Sequence, residues 1–324
     1  MTRYARQIAV PVLGAEGQDR LRAAHVLVVG VGGLAAPVLS YLAGAGVGCL
    51  RLVDPDRVDL SNLHRQTLFT EADVGHPKVQ AAARQIVALN IDCGVEPIQR
   101  RLDPGNAAAL CAGMDLVLDC ADSFAASYTL SDACQRVGLP LVCASVIGLE
   151  GYVGAFCGGA PSLRAVFPDL PPRAGTCAEE GVLGPVVGVI GAVQAQMAFA
   201  VLAGLHPSPL GQLVTFDARG FRFGGFRFDG APEPGRSPAF IAPEAIGSAD
   251  FVVDLRGEDE GPLVRPGALR RPVAAFDSHG CRPEPGQRAV LCCRSGLRAW
   301  QAAQRLAEVW DGEIALVALG DPEG

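Results

Sequence analysis

The chain has 324 residues and a net charge of -7, so it is long enough for two domains with their own cores, and its charge argues against nucleic acid as the main partner. The first residues, MTRYARQ, are polar, and we therefore expect no export signal and a cytoplasmic protein. The eleven cysteines form no Cys-x-x-Cys pair, which favours reduced core thiols over a disulfide framework or a zinc knuckle.

Strand-like runs alternate with helix-like runs through the first 145 residues. This alternation predicts an α/β fold with a doubly wound, mostly parallel Rossmann-like sheet. The predicted strands are residues 26–29, 50–53, 95–98, 116–119 and 139–142.

Residues 182–205 are apolar on almost every side, but Pro185, Gln194 and Gln196 interrupt them. We expect a helix buried in the core or in a dimer interface rather than a membrane span. Strand-like runs at 212–217 and 221–228 follow, and then a Pro/Gly-rich stretch. Further strand-like runs at 251–255 and 289–292 predict a second, smaller α/β domain. The predicted organisation is a domain over 1–228, a linker over 229–240 and a domain over 241–324.

A glycine-rich turn, GVGGLAA, follows the first predicted strand and precedes a helix. Gly32 and Gly33 let the backbone approach phosphate oxygens at the positive end of that helix. Asp54 ends the next strand about twenty residues on, where an acid usually binds a ribose hydroxyl. The turn alone predicts only a mononucleotide or dinucleotide site.

Several polar residues indicate which nucleotide the glycine turn binds. Lys78, the only lysine of the chain, begins a predicted helix, and Asp122 follows a central strand. A triphosphate needs cations and a carboxylate that holds its magnesium, whereas a nicotinamide site needs neither. The polar stretch DLSNLHRQ adds Asn62, Arg65 and Gln66. Together these residues favour ATP with Mg²⁺.

In these motifs the chain resembles the ThiF/MoeB/HesA family of ubiquitin-activating-like adenylyltransferases. The resemblance runs from RYARQ at residue 3 through residue 228, and it includes GVGGLA, LVDPDRVDLSNLHRQ, GHPKV, DCADS and GTCAEEGVLGP. It implies that MgATP adenylates the C-terminal glycine of a small ubiquitin-fold sulfur carrier that ends in Gly-Gly.

The resemblance also implies roles for individual residues. Asp54 would bind ribose, Asp122 would hold magnesium, and Asn62, Arg65, Gln66 and Lys78 would contact the phosphates. Arg6 would reach the partner's triphosphate across a homodimer interface, and Cys177 lies where relatives carry a reactive loop cysteine.

Two departures from the family pattern stand out. Ser123 follows Asp122 where relatives commonly have Asn, which removes one hydrogen bond to the nucleotide. Ser162 and Ala165 occupy the places of a Cys-x-x-Cys pair, and nothing replaces a second pair further on. We therefore expect no structural zinc.

The second predicted domain contains CRSGLR, a six-residue loop from Cys293 to Arg298 that resembles the rhodanese active loop. Backbone N–H groups aimed at the sulfur are expected to lower the pKa of Cys293 and to stabilise a persulfide there. A persulfide donor would load Cys293, and the sulfur would then convert the activated carrier into a thiocarboxylate.

Two other functions remain open on the sequence. A nicotinamide or flavin oxidoreductase explains the glycine turn and Asp54 but not Arg65, Lys78 or the Cys293 loop. A catalytically silent carrier-binding module explains Ser123 and the lost zinc pair. The carrier could serve molybdopterin, thiamine, tRNA-thiolation or secondary-metabolite pathways.

Overall fold

The computed structural model describes residues 3–170, 181–235, 237–276 and 280–320, and it contains two sheets. The first has eight strands in the order β3-β2-β1-β4-β5-β6-β7-β8, and β1 to β5 lie parallel. These strands are β1 His25–Val29, β2 Cys49–Val53, β3 Gly94–Ile98, β4 Leu116–Asp119, β5 Pro140–Ile147, β6 Glu150–Cys157, β7 Gln212–Asp217 and β8 Arg222–Arg227. The predicted α/β fold with a Rossmann-like sheet is confirmed.

Four of the seven strand pairs in this sheet are parallel, as predicted, and the strands beyond β5 add an antiparallel part. The strands β5 to β8 pair antiparallel. Short turns over 148–149 and 218–221 connect β5 to β6 and β7 to β8, as antiparallel neighbours allow, whereas residues 158–211, which include the helices Leu163–Val166 and Gly184–Ala203, connect β6 to β7. No strand was predicted for residues 150–157, because EGYVGAF contains three small residues and few of the β-branched residues that favour strands.

Nine α-helices lie among the described residues: α1 Ala5–Ile8, α2 Gly14–Ala23, α3 Ala35–Ala45, α4 Lys78–Leu89, α5 Ala107–Cys111, α6 Phe124–Val137, α7 Leu163–Val166, α8 Gly184–Ala203 and α9 Leu297–Ala307. Among the helices of the described residues, α8 alone has the length and composition to cross a membrane, yet half of it is buried in the structure. It packs on α2, α3, β5 and β6, as the predicted core helix should.

Strand β1 shows how the sheet separates two layers. Its alternate residues point to opposite faces, so Val26 and Val28 join a core with α3, α4 and α8. Leu27 and Val29 join a second core on the side of α5 and α6. This second core continues without a break into the C-terminal part of the chain, where it includes Trp300 of α9.

The C-terminal part forms the smaller sheet, whose five strands are all parallel in the order β11-β10-β12-β13-β9. The strands are β9 Ala239–Phe240, β10 Phe251–Asp254, β11 Leu269–Arg270, β12 Ala289–Cys293 and β13 Ile314–Ala318. The first sheet ends at Arg227 and the second begins at Ala239, so the change of sheet falls within the stretch predicted as a linker.

Candidate functional site

The glycine turn lies where the carboxyl ends of β1 and β4 meet. Gly30 has a φ of +84°, and a Cβ there would lie 2.7 Å from the backbone carbonyl carbon and oxygen of Cys120. Position 30 therefore requires glycine for both its conformation and the close approach of the two strands. At Gly32 the nearest atom to an added Cβ would be Gln66 Nε2 at 3.5 Å, so Gly32 leaves space in front of that carboxamide. A Cβ at Gly33 would lie 3.1 Å from the backbone oxygen of Arg65.

Asp54 joins this turn to the end of β2. Its Oδ2 accepts a hydrogen bond from the Val31 N–H at 2.7 Å, and its Oδ1 accepts one from the Asp56 N–H at 2.8 Å. The side chain is buried, and burial raises the pKa of Asp54, although the Lys78 ammonium and the two N–H donors lower it. The carboxylate assigned to ribose thus also holds the shape of the turn.

Lys78 is the first residue of α4, and its ammonium lies close to the segment that follows β2. Lys78 Nζ lies 2.8 Å from Asp56 Oδ2, and the Lys78 side chain is 8% exposed while that of Asp56 is 60% exposed. The Lys78 N–H donates to the Asp56 carbonyl at 2.9 Å. Asp56 was not among the predicted site residues, although its position two residues after Asp54, in DPD, is a signal that could have identified it.

The polar turn after β2 presents its side chains toward the glycines. Arg65 Nη2 donates to Asn62 Oδ1 at 2.6 Å, and Arg65 Nη1 donates to His64 Nε2 at 2.9 Å. Gln66 is buried, and its Oε1 has no hydrogen-bond partner. A buried amide oxygen without a partner is costly unless a ligand or water satisfies it, so Gln66 is a candidate contact for a ligand.

The end of β4 supplies two carboxyl groups in different surroundings. Asp119 is fully buried, and burial raises its pKa to about 6 even though the Cys143 thiol and the Ala121 N–H donate to it. Asp122 is exposed just before α6. Ser123 is the N-cap residue of α6, but its side chain makes no capping hydrogen bond. Across the described ranges, no cluster of three His, Cys, Asp or Glu side chains could hold a metal ion.

Two predicted residues, Arg6 on α1 and Asp122 before α6, are exposed and are not linked to this group by the contacts above. Cys177 lies outside the described residues. The structure therefore brings together seven of the predicted residues through the contacts above: Gly32, Gly33, Asp54, Asn62, Arg65, Gln66 and Lys78.

Cys293 ends β12, and the loop after it wraps around the sulfur. Its Sγ accepts hydrogen bonds from the Gly296 N–H at 3.1 Å and the Ala299 N–H at 3.3 Å. The expected low pKa is nevertheless wrong. Cys293 is fully buried, and this burial raises its pKa more than the two N–H donors and the Arg298 charge lower it.

The Arg298 guanidinium pairs with Glu260, an acid that was not among the predicted residues. The guanidinium donates to both carboxylate oxygens of Glu260, at 2.5 and 2.7 Å, and to the Leu255 carbonyl at 3.0 Å. The Arg298 guanidinium lowers the pKa of Glu260 to about 2. Arg298 thus connects the start of α9 to the short 3₁₀ helix Glu258–Glu260. This contact holds the end of the loop that follows Cys293.

The places of the missing cysteine pair are used for hydrogen bonds. Ser162 caps α7 by accepting from the Ala165 N–H at 3.3 Å, and its hydroxyl and N–H donate to Glu233 at 2.5 and 2.7 Å. Arg164 forms a two-pronged ion pair with Asp132 at 2.6 and 2.9 Å. The expected absence of zinc stays a prediction.

Comparisons with known proteins identify the family of the chain. A family model described as the ThiF family matches residues 4–236. Curated relatives include the adenylyltransferase and sulfurtransferase MOCS3 of Sus scrofa, 46% identical over 67% of this chain and 48% of that protein. The SAMP-activating enzyme E1 of Haloferax volcanii is 41% identical over 69% of this chain and 83% of that protein. The chain spans about half the length of the MOCS3 proteins it matches.

Solved structures support the fold. The crystal structure of E. coli MccB with ATP has a TM-score of 0.61 and 22% identity over 70% of this chain and 72% of that chain. A second E. coli MccB structure, with MccA-N7isoASN, has a TM-score of 0.64 and 23% identity over 73% and 74% of the two chains.

Proposed function

The chain belongs to the ThiF family, and from this premise we propose that it uses ATP to adenylate the C-terminal glycine of a small ubiquitin-fold sulfur carrier and then transfers sulfur to it. The observation that carries the proposal is the convergence of the glycine turn, Gln66 and Lys78 at one end of the sheet. The names of the MOCS3 and SAMP-activating relatives support the same substrate class.

The residues fit a triphosphate. Gly32 leaves room for a phosphate beside Gln66, whose buried carboxamide retains an unsatisfied atom. Lys78 and Arg65 supply the positive charge that a triphosphate needs. Magnesium typically uses one or two carboxylates together with the phosphates, and the exposed Asp122 would supply one. The metal would offset charge on the leaving pyrophosphate.

The first chemical step would join the carrier to AMP. An oxygen of the carrier's C-terminal carboxylate attacks the α-phosphorus, and pyrophosphate leaves. Lys78 and Arg65 would stabilise the negative charge that develops on the phosphates. Adenylation is needed because a carboxylate is a poor electrophile, and AMP leaves far more readily than hydroxide.

The second step would use a persulfide on Cys293. Its terminal sulfur attacks the activated carbonyl, AMP leaves, and the carrier is joined to Cys293 through an acyl disulfide. The thiol of Cys177 would then attack the Cys293 sulfur and release the carrier as a thiocarboxylate. A Cys177–Cys293 disulfide would remain, and a cellular thiol would reduce it. An external persulfide donor would load Cys293 again.

The assembly and location follow the family resemblance. We propose a cytoplasmic homodimer in which Arg6 of one subunit reaches the triphosphate held by the other. Arg6 is exposed on α1, as such a role requires. Light scattering at micromolar concentration should give twice the mass of one chain, and a monomer would contradict this part of the proposal.

The test of the first step is ATP–pyrophosphate exchange in the presence of candidate carriers that end in Gly-Gly. We expect exchange only with a cognate carrier, and strong loss in Lys78→Ala and Asp122→Asn. Cys293→Ala should retain exchange and lose thiocarboxylate formation, which separates the two steps. Absence of exchange with every carrier, together with retained carrier binding, would support a silent binding module instead.

A further inference from the structure

Lys78 is held at its backbone and at its ammonium by Asp56, a residue to which the family resemblance assigned no role. The Asp56 carbonyl accepts from the Lys78 N–H at 2.9 Å, and the Asp56 carboxylate accepts from Lys78 Nζ at 2.8 Å. One residue thus fixes both the start of the Lys78 side chain and its tip.

Asp56 is itself fixed to the glycine turn. Its N–H donates to Asp54 Oδ1, while Asp54 Oδ2 accepts from the Val31 N–H within the turn. A chain of three hydrogen bonds therefore connects the turn to the ammonium. If the turn is where the phosphates lie, this chain sets the position of the ammonium relative to them.

We propose that Asp56 is a positioning residue that keeps Lys78 ordered beside the glycine turn before the triphosphate arrives; this rests on the proposed function. A free lysine side chain has many rotamers, and ordering it costs free energy. If Asp56 already orders Lys78 in the folded protein, this cost is not incurred when the triphosphate binds. Asp56 is 60% exposed, so water and ligand can reach it and the ammonium can pass from its carboxylate to a phosphate.

The role of Asp56 must be separated from its effect on stability. The Asp56 carboxylate is 60% exposed but the Lys78 side chain is only 8% exposed, so removing Asp56 should cost more than the loss of a surface ion pair, and urea unfolding of the variant checks that it remains folded. Asp56→Ala removes the carboxylate and keeps the backbone carbonyl that binds the Lys78 N–H. Asp56→Glu keeps the charge on a longer stem. Glu71→Ala, an exposed acid on the same stretch between β2 and α4, is the control for the change in net charge.

The first measurement needs no carrier or activity. Lys78 is the only lysine, so an amine-reactive ester can modify one side chain, and peptide mapping separates it from the N-terminal amine. We expect Lys78 in the full-length Asp56→Ala protein to react about fivefold faster than in wild type, because the ion pair no longer holds it. Glu71→Ala should react at the wild-type rate, and Asp56→Glu should lie in between.

The second measurement is ATP–pyrophosphate exchange with the cognate carrier. We expect kcat to fall about tenfold in Asp56→Ala, with less than a twofold change in the KM for ATP, because ordering of Lys78 matters most as charge develops. Partial recovery in Asp56→Glu is expected. Unchanged labelling would overturn the proposal, and so would faster labelling with unchanged kcat. Failure of exchange in wild type would reject the proposed function, and the labelling result would still decide whether Asp56 holds Lys78.

Discussion

The ring of Tyr128 on α6 lies 5.7 Å from the ring of Trp300 on α9, and the guanidinium of Arg164 lies over both, at 4.7 and 5.8 Å from their centroids. This stack connects α6, which packs on the larger sheet, to α9, which packs on the smaller sheet. A linker over 229–240 alone would leave the second unit free to move relative to the first. In the structure the second unit instead packs on α6, and Gln304 of α9 adds a hydrogen bond to Asp169 at 2.9 Å.

The stack predicts energetic coupling between Arg164 and Trp300. In a double-mutant cycle with Arg164→Met and Trp300→Leu, the coupling measured by urea unfolding should be about 0.5–2 kcal/mol, the range for cation–π pairs. The same cycle with Trp310→Leu, which alters the other tryptophan of the C-terminal unit, should give coupling near zero. Equal coupling in the two cycles would mean that the stack does not connect the units.

The sequence could predict the parts of this structure that depend on local pattern. The apolar run before Gly30 gave β1, the position of Lys78 gave the first residue of α4, and the apolar stretch at 182–205 gave α8. Each signal lies within one element, where periodicity and turn chemistry act on neighbouring residues.

The sequence could not predict contacts between distant parts of the chain. Glu233 lies 71 residues from Ser162, and Glu260 lies 38 residues from Arg298, so neither pairing has a local signal. The burial of Cys293 follows from packing around the whole loop, including Phe240 against Gly296. For this reason the hydrogen-bond donors around Cys293 were foreseen, but the direction of its pKa shift was not.

Gly30 and Gly32 should respond differently to a single methyl group. Gly30→Ala combines a φ of +84° with a 2.7 Å approach to the Cys120 backbone, so the free energy of unfolding should fall by about 1–3 kcal/mol or more. Gly32→Ala meets only Gln66 Nε2 at 3.5 Å and should stay within about 1 kcal/mol of wild type.

The same pair tests where phosphate binds. The Gly32 methyl would fill the space in front of Gln66, so ATP affinity measured by calorimetry should fall about tenfold in Gly32→Ala despite its intact fold. Wild-type affinity in that variant would show that the phosphates lie elsewhere.

Ser162 and Ser123 are both N-cap residues, but only Ser162 uses its side chain. Ser162→Ala removes the bond to the Ala165 N–H and the donor to Glu233, and we expect the free energy of unfolding to fall by about 1–2 kcal/mol. Ser123→Ala removes no capping bond and should change stability by less than about 0.5 kcal/mol. Chemical unfolding of both variants decides the matter, and similar losses would contradict the assigned role of Ser162.

The raised pKa of Cys292 predicts how the free energy of unfolding changes at alkaline pH. Its side chain lies buried among the apolar residues of β10, β12 and β13, and burial raises its pKa to about 12 from an ordinary value of 9.0. As pH rises above about 9, the Cys292 thiol loses its proton in the unfolded chain but keeps it in the folded protein, which favours unfolding. The contribution of the protonated thiol to the free energy of unfolding is therefore complete below about pH 9 and is lost as pH rises toward 12. The slope from one such thiol is at most about 1.4 kcal/mol per pH unit.

Cys292→Val keeps an apolar side chain of similar size and removes the titrating group. The free energy of unfolding of this variant, followed from pH 8.5 to about 10.5, should therefore decline less steeply than that of wild type. Cys281→Val, which replaces a half-buried thiol, provides the control, and its pH profile should lie closer to that of wild type. If Cys292→Val and wild type decline in parallel, the Cys292 thiol is not shielded from ionisation in the folded protein.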